Sequence, residues 1–309
     1  MNTLLGKIKG KTSYLLKPVE RRLFYAMGFN NAAGLKKNAL YELYHWFCRY
    51  NYRRLNGRLP SAVNGSAQAV EGFRQNATGI FPATSESIRL LDAIPKSLLS
   101  KLDDPANVEP KFGFLSRHVF NREEFESVKP LLTPDIDTAL KQLLKSYYLV
   151  ANAYMYRTVA SKATPTSTFL WHFDDHAECH LKVFYYLTDT KKTNGAIQVH
   201  SWSSARDLKR RGFLDRRNVP PKIARDLNDP KRYTVVEGPR GTAFIFCENT
   251  IHRAVIPEEK HRDVITFEIL PSPNPNLQFT AFGKLGYWQN PLDILFPQPG
   301  REVSGTDYN

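Results

Sequence analysis

Short apolar runs separated by turn residues fill the chain between about residues 75 and 275. The runs are rich in β-branched and aromatic residues, which at this length favour strands over helices. Four of them lie at residues 166–171, 181–187, 243–246 and 264–269. We therefore predict a mainly β domain over residues 75–275, with helices at its flanks.

Before residue 75 the pattern changes to helical spacing. Leu40, Leu43, Phe47 and Tyr50 recur on one face of a helix, so residues 1–74 are predicted to form a helical extension. Residues 276–309 carry prolines at positions 291, 297 and 299 and are predicted to form a C-terminal arm.

Two histidines and an aspartate occupy positions that a β-structure would bring together. In an extended strand residues i and i+2 point to the same face, so His172 and Asp174 reach one metal ion only if their segment is β. His252 follows the apolar run at 243–246. Two imidazoles and one carboxylate form the facial ligand set of mononuclear non-haem iron(II) sites. An H-x-D triplet alone is a weak signal. The strand context on both sides and the distal histidine after a strand favour such a site over a solvated polar cluster.

Arg262 opens the strand predicted at residues 264–269, ten positions after His252. Residues 257–260 are typical of a turn. A hairpin closing there would put Arg262 on the strand beside His252, where cross-strand neighbours lie roughly 5–8 Å apart. A guanidinium at that distance is placed to pair with the free carboxylate of a diacid that chelates the metal.

A zinc site is an alternative for these histidines. His172, His176 and His180 are spaced four residues apart and would align on a helix, with Cys179 beside them. The strand-like sequences on both sides disfavour that helix. We therefore expect His176 and His180 in loop or strand positions, where either would be able to border a substrate.

Residues 171–203 resemble the core of the phytanoyl-CoA dioxygenase-like family of Fe(II)/2-oxoglutarate oxygenases. The shared features are a W-H-x-D motif, a strand ending in Leu-Thr-Asp, an Asn-Gly turn at residues 194–195, and a distal histidine followed about ten residues later by an arginine. Residues 78–91 are similar to the first strand and helix of that family. The chain departs from the family after the Asn-Gly turn, where V-H-S-W at residues 199–202 replaces Pro-Gly-Ser-His.

The resemblance implies a double-stranded β-helix, a jelly-roll or cupin-like core, that hydroxylates a substrate with iron(II), 2-oxoglutarate and dioxygen. It implies that His172, Asp174 and His252 hold the iron and act in catalysis, and that Arg262 binds 2-oxoglutarate. Further candidates for the 2-oxoglutarate site are Lys182, Tyr185 and Tyr186. Related halogenases lack the carboxylate ligand, so the presence of Asp174 favours hydroxylation.

Nucleic-acid demethylases of the same superfamily also use an H-x-D motif and a distal histidine. Their R-x5-R motif is not matched, since the residue six positions after Arg262 is Glu268. We therefore do not expect nucleic acid as a partner.

Positive charge is concentrated in two segments outside the predicted catalytic strands. The formal net charge is +13 for the chain, +10 for residues 1–60 and +6 for residues 201–233. The second segment is a basic insertion between strands that carry metal ligands. Loops at such a place carry specificity, so an anionic substrate is expected unless the loop is merely solvated. The candidate substrate residues are His176, His180, Arg206, Arg210 and Arg211.

The first basic segment combines the apolar stripe of the predicted helix with Arg49, Arg53, Arg54 and Arg58. A basic amphipathic helix of this kind is typical of proteins that lie on an anionic membrane surface. The alternative is that the apolar stripe packs on the β domain, as most such stripes do.

The remaining composition limits the class of protein. With 309 residues and 42% hydrophobic content the chain can bury a sizeable core. No 18-residue apolar run is present, and lysines at positions 7, 9 and 11 leave no room for the apolar part of a signal peptide. Cys48, Cys179 and Cys247 are scattered, which disfavours a disulfide framework. We expect a cytoplasmic protein, with contact to the inner face of the membrane if the basic helix binds lipid.

Two functions from different classes are compatible with these features. One is a 2-oxoglutarate-dependent hydroxylase of an anionic small molecule or of an envelope lipid or glycolipid head group, for example an acidic sugar of lipopolysaccharide. The other is a non-catalytic β-helix protein that binds anionic surfaces through its basic segments. The complete set of metal and co-substrate residues favours the enzyme.

Overall fold

The structure, a computed structural model, describes residues 32–61, 64–174, 178–213 and 219–279. Its helices are α1 (Ala32–Asn56), α2 (Asn64–Asn76), α3 (Ser85–Asp92), α4 (Lys96–Leu99), α5 (Arg122–Val128), α6 (Pro134–Leu144), α7 (Trp202–Arg210) and α8 (Pro221–Leu227). Its strands are β1 (Thr78–Phe81), β2 (Leu115–Val119), β3 (Tyr147–Val159), β4 (Leu181–Tyr186), β5 (Gln198–His200), β6 (Tyr233–Val235), β7 (Ala243–Cys247), β8 (His252–Arg253), β9 (His261–Ser272) and β10 (Gln278–Phe279).

The strands form two sheets. The larger sheet has the order β1-β7-β4-β9-β3-β10, with β2 also paired to β3, and the smaller sheet has the order β6-β5-β8. His172 extends the smaller sheet, because its backbone bridges that of His252. From β4 onward the chain passes repeatedly between the two sheets. The prediction of a jelly-roll core with flanking helices and a helical N-terminal part is thereby confirmed.

Three hydrophobic clusters hold the sheets and helices together. Side chains alternate along a strand, so Val183 joins the cluster between the larger sheet and the helices, whereas Phe184 joins the cluster between the two sheets. The third cluster packs α7 and α8 against Trp171 and Ile251. In its described part, residues 201–213 and 219–233, the basic insertion is therefore folded and packs against residues of the smaller sheet and its neighbours.

The segment before His172 is not the strand that the sequence predicts at residues 166–171. Ser167–Phe169 is a 3-10 turn, and Ser167 has a φ of +52°. Phe169 packs edge-on against Phe112 and Phe114, with ring centroids 5.5 and 5.1 Å away. The aromatic and β-branched composition reflects burial of side chains in this case, and not pairing with a neighbouring strand.

Arg262 and His252 do not lie on neighbouring strands, so the hairpin prediction is wrong. β8 pairs with β5 in the smaller sheet, whereas β9 pairs with β3 and β4 in the larger one. The chain does turn at residues 257–260, where Lys260 has a φ of +57°. It crosses from one sheet to the other there, and the cross-strand partner of Arg262 is Thr158 on β3.

The predicted boundary at residue 74 falls within a helix, and that at residue 275 falls between β9 and β10. The boundary at residue 74 lies inside α2, which ends at Asn76. Residues 1–31 and 280–309, which include most of the predicted C-terminal arm, lie outside the described residues. Gln278 and Phe279 pair with β3 as the short parallel strand β10. The division at residues 74 and 275 stays a prediction.

Helix α1 packs on the domain through a face other than the predicted stripe. Tyr44, Cys48 and Tyr52 are buried, and the Tyr44 hydroxyl donates to the carbonyl oxygen of Pro271 at 3.0 Å. Phe47 and Tyr50 of the predicted stripe are exposed. The helix thus packs through one face and presents an aromatic face to solvent. In the described part of the chain, no helix combines the length and hydropathy needed to cross a bilayer.

Candidate metal centre and its cavity

His172, Asp174 and His252 meet between the two sheets, as the sequence predicts. Their potential ligand atoms all lie within 4.8 Å of one another. Nε2 of His172 is 3.7 Å from Oδ1 of Asp174, and Nε2 of His252 is 3.8 Å from Oδ2. Reciprocal backbone hydrogen bonds of 2.9 and 2.7 Å between the two histidines fix their spacing.

A hydrogen bond at the second ring nitrogen, Nδ1, fixes the tautomer of each histidine. Nδ1 of His172 lies 2.8 Å from the carbonyl oxygen of Leu170, and Nδ1 of His252 lies 2.9 Å from that of Thr250. A carbonyl oxygen only accepts, so each Nδ1 carries the proton and each Nε2 presents a lone pair. Burial, and secondarily the nearby His172, lowers the pKa of His252 to about 3, so this ring is neutral near pH 7. Neutral imidazoles oriented by a backbone carbonyl are the usual donors to a metal.

A cavity of about 390 Å³ extends from this group between the sheets. Its volume lies within the range of roughly 300–1,000 Å³ that is typical of small-molecule sites. Much of the wall is apolar. The charged residues that line it are Glu109, Arg117, Asp174, Lys182, Arg262 and Glu268.

Arg262 is 1% exposed, and most of its donors lack a protein acceptor. Nη1 donates to the carbonyl oxygen of Gly195, whereas Nε and Nη2 are buried without a hydrogen-bond partner among the described residues. The Oγ1 atom of Thr158, on the adjacent strand, is likewise buried without a hydrogen-bond partner among the described residues. Unpaired buried polar groups are rare and costly. This end of the cavity therefore holds several donors arranged for an anion.

Gly195 contributes to this arrangement through its backbone. Its φ is +97°, which L side chains rarely adopt, and a Cβ there would lie 2.8 Å from the carbonyl oxygen of Val255. The glycine of the predicted Asn-Gly turn thus lets the chain pass close to Val255 while its own carbonyl accepts from Arg262.

Lys182 also lines the cavity, and its ammonium is surrounded by protein carboxylates. Nζ lies 3.3 Å from Asp174, 3.6 Å from Glu248 and 3.8 Å from Glu268. Burial by itself would lower the pKa of Lys182, but the nearby negative charges, Glu248 foremost, hold that pKa well above its usual value. Lys182 is therefore charged and engaged with Asp174 and its neighbours, which disfavours the predicted contact with 2-oxoglutarate.

Tyr185 and Tyr186 lie outside the cavity wall. The Tyr185 hydroxyl donates to the carbonyl oxygen of Leu131 at 2.7 Å, and that of Tyr186 donates to Val236 at 2.5 Å. Both hydroxyls stabilise packing between elements, so the structure does not bring these two candidates to the site.

The predicted substrate residues are also separated from the cavity, as far as they are described. His176 lies outside the described residues, and His180 is buried just before β4 without lining the cavity. Arg206 and Arg210 are exposed on α7. Arg211 pairs with Asp226 at 2.5 Å and with Asp207 at 3.2 Å. The insertion thus directs these arginines to solvent or to its own aspartates.

Arg117 and Thr158 line the cavity and were not predicted from the sequence. A signal exists for Arg117, since it is a charged residue at an alternating position of the run at residues 115–119. Thr158 gives none, because threonine is common on both faces of strands.

The sequence matches no protein-family model, and the comparison with curated proteins gave no match. Solved structures share the fold. EctD from S. alaskensis with bound Fe is 14% identical, with a TM-score of 0.50 over 75% of this chain and 86% of that chain. Its apoform is 13% identical, with a TM-score of 0.52 over the same shares. HygX from Streptomyces hygroscopicus with nickel, 2-oxoglutarate and hygromycin B bound is 14% identical, with a TM-score of 0.46 over 66% of this chain and 86% of that chain. At these identities the likeness to EctD shows the fold.

Proposed function

We propose that this chain is an Fe(II)/2-oxoglutarate-dependent oxygenase that hydroxylates an acceptor held in the cavity. The observation that carries the proposal is the convergence of His172, Asp174 and His252, all within 4.8 Å, in one cavity with the unpaired donors of Arg262. The structural neighbour EctD, which has the same fold, holds Fe. The resemblance of the motifs around residues 171–195 to the phytanoyl-CoA dioxygenase-like family supports an extension of the proposal to that family.

The donor set fits iron(II). Two nitrogens and one carboxylate on one side of an ion are the facial ligand set of mononuclear iron oxygenases, whereas structural zinc sites close the coordination shell with four protein ligands. Among the described residues, no further histidine, cysteine or carboxylate joins this group. Iron(II), when bound, supplies the activation of dioxygen that oxidises 2-oxoglutarate and the acceptor together.

Arg262 and Thr158 fit the carboxylate of 2-oxoglutarate that does not bind the metal. The guanidinium offers two unpaired nitrogens, Nε and Nη2, and the threonine offers one hydroxyl, all buried. A charge-assisted hydrogen bond is about twice as strong as a neutral one, and a guanidinium can bind a carboxylate with two donors at once. The apolar wall at Phe184, Ile197 and Phe246 excludes water from this region, which strengthens such pairing.

The Arg262→Gln variant should bind 2-oxoglutarate about 10- to 150-fold more weakly while retaining iron, because a hydrogen-bonded charge pair worth roughly 1.5–3 kcal/mol is lost. Calorimetric titration of 2-oxoglutarate into the iron-loaded protein, without dioxygen, measures the change. Arg240→Gln is the matched control, since Arg240 pairs with Asp92 on the surface. Equal affinities for all three proteins would place the distal carboxylate elsewhere.

Release of succinate tests the reaction class itself. An oxygenase of this class should convert 2-oxoglutarate to succinate slowly even without an acceptor, and only with iron(II) and dioxygen present. If iron and 2-oxoglutarate bind but no succinate forms with any of a panel of acceptors, the non-catalytic binding protein becomes the better description. The intact Asp174 carboxylate favours hydroxylation over halogenation of the acceptor.

We also propose that α1 contacts an anionic membrane surface, which would place the enzyme at the inner face of the membrane. Leu43, Trp46, Phe47 and Tyr50 are between 44% and 63% exposed, a high degree for large apolar residues. Arg53 and Arg54 follow them in the last turn and are also exposed. Aromatic side chains beside arginines are the arrangement that binds the interface of an anionic bilayer. The other face of α1, with the buried residues Tyr44, Cys48 and Tyr52, holds the helix on the domain at the same time.

The Arg53→Gln/Arg54→Gln variant should bind phosphatidylglycerol vesicles roughly 30-fold more weakly than the unmodified protein. Each basic residue near such a surface contributes about 1 kcal/mol, and the effect should shrink as salt shortens the Debye length. Sedimentation with vesicles measures it. Arg206→Gln/Arg210→Gln removes the same charge from α7 and is the control. Similar losses in both variants, or equal binding to uncharged phosphatidylcholine, would show that α1 has no specific role.

A further inference from the structure

The charged residues of the cavity differ in whether the protein already provides their partners. Asp174, Lys182 and Glu268 form one connected group with Glu248 behind them. Arg262 faces the region proposed for 2-oxoglutarate. Arg117 is the cation that remains, and it is on a different strand from all of these.

Arg117 is held by stacking and not by an acid. Its Cζ atom lies 4.1 Å from the centre of the Tyr154 ring, and its Nε atom is buried without a hydrogen-bond partner among the described residues. No ion pair joins it to a described carboxylate. A guanidinium stacked on an aromatic ring keeps its N–H groups in the plane free to bind an anion. The buried, unpaired donor is the feature that calls for a ligand.

Arg117 and Arg262 stand at different places along the sheet. Arg262 is on β9, β3 lies beside it, and β2, which carries Arg117, lies beyond β3. Two strand spacings separate the backbones by about 10 Å. The guanidinium of Arg262 is near Tyr156, at 5.4 Å, whereas that of Arg117 is on Tyr154. The two guanidinium groups therefore rest on neighbouring but different rings, so that each can face its own anionic group.

The wall near Arg117 is apolar and aromatic. Phe112 and Phe169 line the cavity and contact each other edge-on, with ring centroids 5.5 Å apart. Leu115, two residues before Arg117 on the same strand face, lines it as well. An acceptor seated there would meet hydrocarbon surface next to the guanidinium of Arg117.

We propose that Arg117 binds an anionic group of the acceptor, a carboxylate or a phosphate, while the apolar part of the acceptor packs on Phe112 and Phe169. The reaction of the bound acceptor rests on the proposed function, whereas the binding of the acceptor does not depend on it. The wall of the cavity then recognises the negative charge of the acceptor, and the basic insertion, whose Arg211 is paired with aspartates, does not. Glu109, which also lines the cavity, is the acid that a cationic acceptor would use instead.

Simple amphiphiles test the binding chemistry without knowledge of the natural acceptor. Octanoate, octyl phosphate, octanol and octylammonium share one apolar chain and differ in the polar group. We expect the iron(II)- and 2-oxoglutarate-loaded protein, without dioxygen, to bind at least one of the two anions in calorimetry about 10- to 150-fold more tightly than octanol. Whichever anion binds more tightly distinguishes a carboxylate site from a phosphate site.

Substitutions at Arg117 assign the preference to a residue. Arg117→Gln should remove the advantage of the anions over octanol, and Arg117→Lys should restore part of it, because the charge returns without the two-donor fork. Arg206→Gln, on the basic insertion, should bind the amphiphiles as the unmodified protein does. Binding of iron(II) and 2-oxoglutarate by each variant, measured in the same titration, shows that it is folded.

Three results would overturn the proposal. They are weak or absent binding of both anions, a preference for octylammonium, and an anion preference that survives in Arg117→Gln. Failure of the proposed function looks different, since iron and 2-oxoglutarate would then not bind or no succinate would form, whatever the amphiphiles do.

Discussion

Replacement of His172, Asp174 or His252 with alanine is expected to abolish both iron binding and succinate formation. The three side chains are the whole protein contribution to the proposed facial set, so each substitution leaves two ligands. The backbone bridge between residues 172 and 252 does not depend on these side chains, and the fold should therefore persist. Iron content after anaerobic loading and desalting, together with succinate release, measures the two effects.

The matched control for the histidines is His261→Ala. The side chain of His261 is 43% exposed and does not line the cavity. This variant should retain full iron content and turnover. Near-normal iron affinity in all three ligand variants would end the assignment of the metal centre.

The Lys182→Met variant should lose about 3–5 kcal/mol of the free energy of unfolding, the usual cost of removing one partner from a buried charge pair. Methionine preserves much of the side-chain length, but Glu248, which is fully buried, and Glu268 would lose the nearby ammonium of Lys182. Urea denaturation of the metal-free protein near pH 7 measures the loss. A bound divalent metal should reduce it, since positive charge then returns next to Asp174.

Two further variants separate this charge effect from packing. Lys182→Met/Glu248→Gln should recover part of the loss, because the most buried carboxylate is neutralised. Lys141→Met removes a lysine that pairs with Asp137 at 2.7 Å on the surface of α6, where such a pair is worth about 0.3–0.5 kcal/mol. If the loss in Lys182→Met is as small as in Lys141→Met, the buried carboxylates do not depend on Lys182.

The strands that carry the site are predictable from the sequence where a strand-like composition coincides with burial on both faces. The runs at residues 181–187, 243–246 and 264–269 are found in β4, β7 and β9, because β-branched and aromatic residues buried on both faces leave little alternative. The run at residues 166–171 has the same composition but forms a 3-10 turn. Phe169 is buried against Phe112 and Phe114, and Trp171 packs on His200 and Tyr233. These contacts are not visible in local sequence.

The arrangement of strands in space is harder to predict than their existence. The turn at residues 257–260 suggests a hairpin, yet β8 and β9 belong to different sheets. Which sheet a strand joins depends on partners more than 50 residues away, such as Val199 for His252 and Thr158 for Arg262. The convergence of His172 and Asp174 was predictable because a two-residue spacing is a local constraint, whereas the approach of His252 depends on its backbone bridge to His172.

Which charged residues can bind a ligand in the cavity depends on which of them the fold leaves without an ion pair. With 43 lysines and arginines in the chain, dense clusters such as residues 201–233 dominate a sequence-based search. In the folded protein Asp207 and Asp226 neutralise the arginines beside them, whereas the isolated Arg117 has only an aromatic ring. Pairing of this kind is a property of the tertiary structure.

The third hydrophobic cluster limits how the acceptor range of this protein can be altered. It joins α7 and α8 to Trp171 and Ile251, the residues directly before His172 and His252. Exchange of the insertion would therefore disturb the support of both imidazoles. β2, by contrast, lies at the edge of β3, and its Ser116 bridges Val108 on the other side. Libraries aimed at new acceptors should accordingly be built at Glu109, Leu115 and Arg117, which line the cavity, and should leave out Phe112 and Phe114, which pack on Phe169 just before His172.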